Sequence, residues 1–376
     1  MENLTLGDQS QASISPHLQD TERMLARAAS LVSGSEQPAK VWAMPDLSFS
    51  TDVKRFLGGF FCGAFYSWES SEPFVPIDAN LNCCGVSMFK LKQPVEDYAH
   101  FADGIRHAMN ITRERSSYLW NFGAGNHFVI FGYAEGSQGI PEGPYGLLHS
   151  SAGEFKKQHN GLYPTTGNWF GDRIETIEDP SINRHIRFIR GKFAERFIQT
   201  AKSLDAYNQQ RHRYFADLIF GVDNIDDEVC NLQHYGMPTE NSIAIGCQWM
   251  RERVVPLLTA PEKPVYLVHP KLGGINDVQI GGERLTLFPH GLGRCSRDPM
   301  SVEYVPSGIV VNGAVYTPQD SLRNDERLPM RDFDRNEAEG GRIPSIIRQM
   351  LERCAADIVA KIDQIYSYHS QNPIPD

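Results

Sequence analysis

The sequence predicts an α+β fold, a single large domain of mixed sheets with a helical insertion and a C-terminal helix. Hydrophobic residues make up 41% of the 376-residue chain, enough for a substantial core. Segments of strand and helix periodicity follow one another without the alternation of a doubly wound sheet, and no internal repeat occurs. No apolar run reaches the roughly 18 residues of a membrane-spanning helix, so no membrane partner is expected.

Residues 1–38 are polar and rich in Ser, Gln and Glu, which predicts a largely disordered tail without the apolar stretch of a secretion signal. The domain then occupies 39–376. Lys40–Met44 predicts a strand that ends in the turn signal Pro45-Asp46. Gly58–Tyr66 and Val86–Leu91 predict two more strands. Val95–Met109 predicts a helix, with Tyr98, Phe101, Ile105 and Ala108 at helical spacing. His127–Phe131 and Gly146–His149 predict strands. The helical insertion, 182–220, starts with an amphipathic helix over Ile182–Leu204 that carries Ile186, Ile189, Phe193 and Phe197 on one face. Asn241–Val255 predicts a further helix; Val265–Val268, Arg284–Phe288 and Gly308–Val311 predict strands; Ile343–Tyr366 predicts the closing helix.

A net charge of −10 argues against a protein that coats nucleic acid by bulk attraction. It leaves room for a local basic groove, and Arg184–Arg213, with Arg184, Arg187, Arg190, Lys192, Arg196 and Arg211, is the candidate; the alternative is a solvated helix face. Seven scattered cysteines describe no disulfide framework, which predicts a cytoplasmic protein.

Three strings carry chemistry: Asn82-Cys83-Cys84-Gly85-Val86, Gly123-Ala124-Gly125-Asn126-His127-Phe128 and His290-Gly291-Leu292-Gly293-Arg294. Thiolate and neutral imidazole suit a borderline transition metal, and glycines let a bulky anion approach the backbone. An imidazole in a Gly-rich turn can also attack phosphorus. The combination points to metal-dependent phosphate chemistry.

These strings resemble the RtcB RNA-splicing ligases. The run Trp42-Ala43-Met44-Pro45-Asp46 is similar to that family's Pro-Asp turn, and Cys84-Gly85-Val86 to its Cys-Gly-Val segment. Gly125-Asn126-His127-Phe128, Leu148-His149-Ser150, Tyr235-Gly236-Met237 and His290–Arg294 followed by Cys295-Ser296-Arg297 match further motifs in order, across roughly Lys40 to Ala338. The resemblance implies GTP and Mn²⁺ (or another divalent transition metal) as cofactors. It implies as substrate RNA with a 3′-phosphate or 2′,3′-cyclic phosphate end and a 5′-OH end. By the same resemblance His290 attacks the α-phosphorus of GTP. Cys84, His127, His149 and His269 form the metal shell, and Asn126, Gly291, Leu292, Gly293 and Arg294 face the nucleotide.

The pattern also breaks. Leu81 stands where the family has a metal-binding aspartate, with Asp78 or Asn80 as the substitutes within reach. Ile130 stands where a glutamate reads guanine, Ser48 replaces the turn histidine, and Asn372–Asp376 has no terminal lysine. Two other readings therefore stand beside the ligase: a metal-dependent phosphohydrolase or nucleotidyl-transfer relative, and a non-catalytic RNA-binding scaffold.

Overall fold

The computed structural model describes residues 1–50, 52–115, 117–135, 139–152, 162, 168–250, 254–259, 262–296, 300–317, 332–334 and 345–374. The α+β prediction holds at the level of class: the chain is mixed, with more strand than helix and several sheets. Arg297, Ile343 and the far end of the resemblance at Ala338 lie outside the described residues.

Two sheets pack face to face. One runs in the order Glu2–Asn3, Ala39–Ser48, Cys62–Trp68, Ser242–Ile245, Tyr235–Gly236. The other is antiparallel throughout, in the order Ile225–Gln233, Cys84–Leu91, Gly143–Ser151, Phe128–Glu135, Ala356–Tyr368, Val265–Pro270, Val255–Leu257. Their inner faces share one apolar cluster, in which Trp42, Met44 and Phe65 of the first sheet meet Val86, Leu147 and Val265 of the second. Helix α1 (Gln9–Ser33) covers the outer face of the first sheet, packing Ile14, Leu18 and Leu25 with Val41, Ala43 and Ala64. After α2 (Val53–Gly58), helix α3 (Tyr98–Arg115) and the C-terminal half of α4 (Lys192–Ala216) cover the outer face of the second sheet, with Phe101, Ile105 and Phe215 against Phe89 and Leu148. Helix α5 is Ser345–Arg353.

The N-terminal tail is a correction. Its average polarity hides a buried stripe, Ile14, Leu18, Thr21, Leu25, Ala28 and Val32, at helical spacing. Asp8 caps the first turn by accepting from the Gln11 amide, and Gly34 ends the helix at φ 68°. The closing helix is also corrected. Only α5 is helical; Ala355 turns left-handed at φ 46°, and Ala356–Tyr368 is then a 13-residue strand. Its flanking strands, Phe128–Glu135 and Val265–Pro270, take up its backbone groups on both sides, which no local pattern announces. The described residues of Asn241–Val255 are strand rather than helix: Ser242–Ile245 and Cys247–Met250, hinged at Gly246, with 251–253 outside the described residues. The insertion helix begins only at Lys192, since Arg184–Arg190 pairs with Phe74–Pro76 and Glu175–Asp179.

The candidate basic groove loses part of its charge to the core. Arg184 and Arg211 are fully buried, and Arg187 forks onto the buried Asp78 carboxylate. Arg190 pairs with Glu175, and Arg196 lies over the Trp169 ring. The run is thus divided: Arg184, Arg187 and Arg211 are spent inside the fold, while Arg190, Lys192 and Arg196 are exposed.

Candidate functional site

The site lies between the two sheets, where six backbone segments converge. Val86 faces His149 across the ladder, and Cys84 faces Ser151, so Cys84 and His149 point to the same face of the seven-stranded sheet. Phe128 pairs with His149 on the neighbouring strand, which brings His127 alongside. At the end of Ile225–Gln233 the chain crosses to the other sheet, and His234 is the crossing residue. Its amide donates to Cys84 O (3.0 Å) and its carbonyl accepts from the Cys247 amide (3.1 Å). His290 follows the Glu283–Pro289 strand, and Asp46 protrudes from Ala39–Ser48.

Four imidazoles form a chain of contacts. Ring centroids lie 5.6 Å apart for His127 and His149, 5.1 Å for His149 and His234, and 4.9 Å for His234 and His290. The hydrogen bonds fix which nitrogens carry protons. His127 Nδ1 faces Asn121 O (3.1 Å) and His149 Nδ1 faces Asn126 O (2.9 Å). A carbonyl only accepts, so both Nδ1 atoms are protonated and both Nε2 atoms hold lone pairs. Burial lowers the His127 pKa to about 4 and that of His149 to about 3; His234 is also pushed well below its ordinary value by burial, with His290 next. These three rings are therefore neutral ligands at neutral pH.

At the far end, His290 Nδ1 lies 2.7 Å from Asp46 Oδ2, and the same oxygen accepts from the His290 amide (3.2 Å). Asp46 is fully buried, while the His290 side chain keeps 16% of its surface exposed. With Nδ1 committed to the carboxylate, Nε2 is the nitrogen left for chemistry. Close packing holds the ring: a Cβ on Gly246, at φ 64°, would sit 2.5 Å from Cys62 Sγ and 2.9 Å from His290 Cε1. Cys62 in turn shares a 2.9 Å contact with Tyr235 Oη.

Among the described residues, no group of three or more His, Cys, Asp and Glu side chains is gathered so as to hold a metal ion. Two donors nonetheless lie at the spacing a shared ion would need. His149 Nε2 and His234 Nε2 are 3.2 Å apart, and His234 Nδ1 is buried with no partner. Two nitrogens on one tetrahedral ion, each bonded at about 2.0–2.1 Å, stand about 3.3 Å apart. His127 and Cys84 lie at the adjoining strands but are not gathered with these two nitrogens into a set of three.

The sequence-predicted residues divide accordingly. Cys84, His127, His149 and His290 are brought together. His269 is not: it is exposed on Val265–Pro270, opposite Asp357, and shares none of these ring contacts. His234 takes the place expected of it. The available signal was its position directly before Tyr235-Gly236-Met237. Asp46, noted in the sequence only as part of a turn, becomes the partner of His290. Leu81 is in the apolar core, Asp78 is held by Arg187, and the Asn80 amide donates to Asp52 Oδ2 (2.6 Å), so none of them supplies the missing carboxylate. Ile130 lies in the shared core. Of the candidate nucleotide-facing group, Asn126 is exposed and lends its carbonyl to His149. The Leu292 amide is taken by Leu258 O (3.1 Å) and the Arg294 amide by Ser48 Oγ (2.9 Å). Gly291 is buried and bridges to Leu258, and Gly293 turns left-handed at φ 69°.

The chain matches no protein-family model and no curated protein.

Proposed function

We propose that this protein is a nucleotidyltransferase that works through a covalent histidine–nucleotide, in the manner of the RtcB-type RNA ligases its motifs resemble. The observation that carries the reading is the Asp46–His290 pair, a fully buried carboxylate 2.7 Å from Nδ1 of a partly exposed imidazole in a glycine turn.

Nε2 of His290 attacks the α-phosphorus of a nucleoside triphosphate. A phosphorus–nitrogen bond forms and pyrophosphate leaves. Asp46 holds the Nδ1 proton and stabilises the positive charge that builds on the ring, so the nucleophile stays in one tautomer and one orientation. The RNA 3′-phosphate then attacks the same phosphorus and His290 leaves; the 5′-OH attacks the activated 3′-phosphate and the nucleoside monophosphate leaves. His127, His149, His234 and Cys84 would hold the divalent cation, which when bound neutralises charge on the triphosphate. The neutral state of the three rings keeps their lone pairs available for it. Ile130 offers no carboxylate to a guanine edge, so the nucleotide is chosen by other groups, and ATP is tested beside GTP.

The test is incubation of the full chain with α-labelled GTP or ATP and Mn²⁺, followed by a denaturing gel. An acid-labile, alkali-stable label that is absent in His290→Ala supports the reading. No label from either nucleotide, with Mn²⁺ bound, overturns it in favour of a phosphohydrolase. Neither label nor metal leaves a scaffold.

A further inference from the structure

We infer that the N-terminal helix is part of the nucleophile's apparatus, with Gln11 as a positioning residue for Asp46. The inference deepens the proposed reading of His290 and rests on it. Helix α1 precedes the span in which motifs occur, and nothing in its sequence suggests a site.

The case begins with the backbone around Asp46. Ala39–Ser48 pairs with Cys62–Trp68 as Ala43 with Ala64 and then Ser48 with Cys62, so four residues (Met44 to Leu47) bulge out of the ladder against a single partner, Gly63. Gly63 has φ 76°, and a Cβ there would lie 2.6 Å from Leu47 N and 2.7 Å from the Asp46 carbonyl carbon. The bulge is thus pressed from one side and carries Asp46 toward His290. The bulge leaves the regular ladder in a segment that is wholly buried, so the carbonyls of Pro45, Asp46 and Leu47 turn to side chains.

Side chains satisfy all three. Gln11 Nε2 donates to Pro45 O (2.7 Å) and approaches Leu47 O (3.4 Å), bracketing Asp46. Ser48 Oγ donates to Asp46 O (2.6 Å) and accepts from the Arg294 amide, which ties the bulge to the glycine turn after His290. Gln11 is itself fixed. It is fully buried; its Oε1 accepts from the Gly7 amide (2.9 Å) and its own amide donates to the Asp8 cap (3.0 Å). The amide flip is therefore determined, since Oε1 must face Gly7 N–H and Nε2 the bulge. Removing the donor takes the side-chain hydrogen bond from the buried Pro45 carbonyl next to Asp46, and the bulge that carries the carboxylate loses that anchor. Gln11 touches no reacting atom and acts only through Asp46.

The experiment compares Gln11→Glu and Gln11→Ala with Leu18→Ala in the full chain. Gln11→Glu keeps the shape and replaces the donor with an acceptor. Leu18→Ala removes a fully buried side chain from the same helix and leaves the bulge contacts alone. Two readouts are taken: the downfield Nδ1–H proton resonance of His290 in histidine-¹⁵N-labelled protein, and the rate of self-labelling by α-labelled nucleotide with its dependence on nucleotide concentration. Both Gln11 variants are expected to lose the resonance and to label at least 10-fold more slowly at saturating nucleotide, with half-saturation unchanged. Leu18→Ala is expected to lower the melting temperature and keep both signals. Retention of the resonance in Gln11→Glu, or its equal loss in Leu18→Ala, overturns the inference. If the unaltered protein takes no label, the nucleotidyl reading fails by itself, and the resonance alone decides the role of Gln11.

Discussion

Two histidine clusters lie back to back across the Gly143–Ser151 strand, and they differ in what the second ring nitrogen meets. His149 points between the sheets; Ser150, its neighbour, points toward α4. There His212 is fully buried, its Nδ1 2.7 Å from Ser87 Oγ and its Nε2 2.6 Å from Ser150 Oγ. Arg211 donates to Ser150 Oγ (3.0 Å) and Asn208 Oδ1 (2.6 Å), and also to Ser151 O. Burial lowers the His212 pKa far below its ordinary value, as it does for His149 and His234. Depth and pKa thus fail to separate the clusters. The partners separate them: both nitrogens of His212 end on hydroxyls, whereas His149 Nε2 meets another imidazole nitrogen, His234 Nε2, and His234 Nδ1 is buried without a partner. The closed cluster ties the strand to α4, whereas the open one leaves a buried ring nitrogen unpaired.

The comparison is broken most severely on the open side. Asp46→Asn keeps the packing but favours the wrong imidazole tautomer, and is expected to slow self-labelling about 10³-fold with a melting temperature near that of the parent. On the closed side, Arg211→Ala should do the reverse. It strips a buried guanidinium from Ser150, Ser151 and Asn208 and is expected to cost about 3 kcal/mol in urea unfolding. Any loss of Mn²⁺ uptake in titration calorimetry should then track the unfolded fraction. If Arg211→Ala instead abolishes metal uptake in folded protein, the two clusters are one site.

Gly246→Ala tests the packing around His290. The strained φ and the clash with Cys62 and His290 are expected to cost about 2 kcal/mol and to reduce labelling beyond what unfolding explains. The smallest effect sharpens the description of the closed side, where Asp205 on α4 has a buried, unpartnered Oδ1. Burial raises its pKa from 3.8 to about 7, with the Cys83 thiol opposing the shift. The folded chain therefore binds this proton more tightly than the unfolded chain. The stability it contributes is complete below pH 4 and is lost as pH rises through about 7. Asp205→Asn should remove that dependence and be more stable than the parent at pH 8 by about 1 kcal/mol, read from urea midpoints at pH 5 and pH 8.

Much of this was written locally. The strands over Lys40–Met44, Val86–Leu91, His127–Phe131 and Gly146–His149 follow from short apolar runs beside turn residues, and the structure contains all four. The motifs' resemblance groups Cys84 with His149, and the pairing of their two strands puts them on one face. Helix α1 was also present in the sequence, as a stripe at helical spacing that average composition concealed.

What the sequence by itself determined was the chemistry available: the imidazoles, the thiol, the glycine turns, and the acidic balance against bulk nucleic-acid binding. Tertiary structure decided which of these groups meet. His269 and His234 are both histidines at strand ends, yet one faces solvent and the other spans the crossing between two sheets. Asp46 becomes a partner for His290 across 244 residues of chain only because a bulge lifts it out of its ladder. The same holds for Ala356–Tyr368, a strand because its neighbours on both sides supply hydrogen bonds that no helix could offer them. The physical reason is common to all three. Local pattern sets the direction a side chain points, while the partner at the end of that direction comes from distant chain, through pairing and burial that a single segment does not encode.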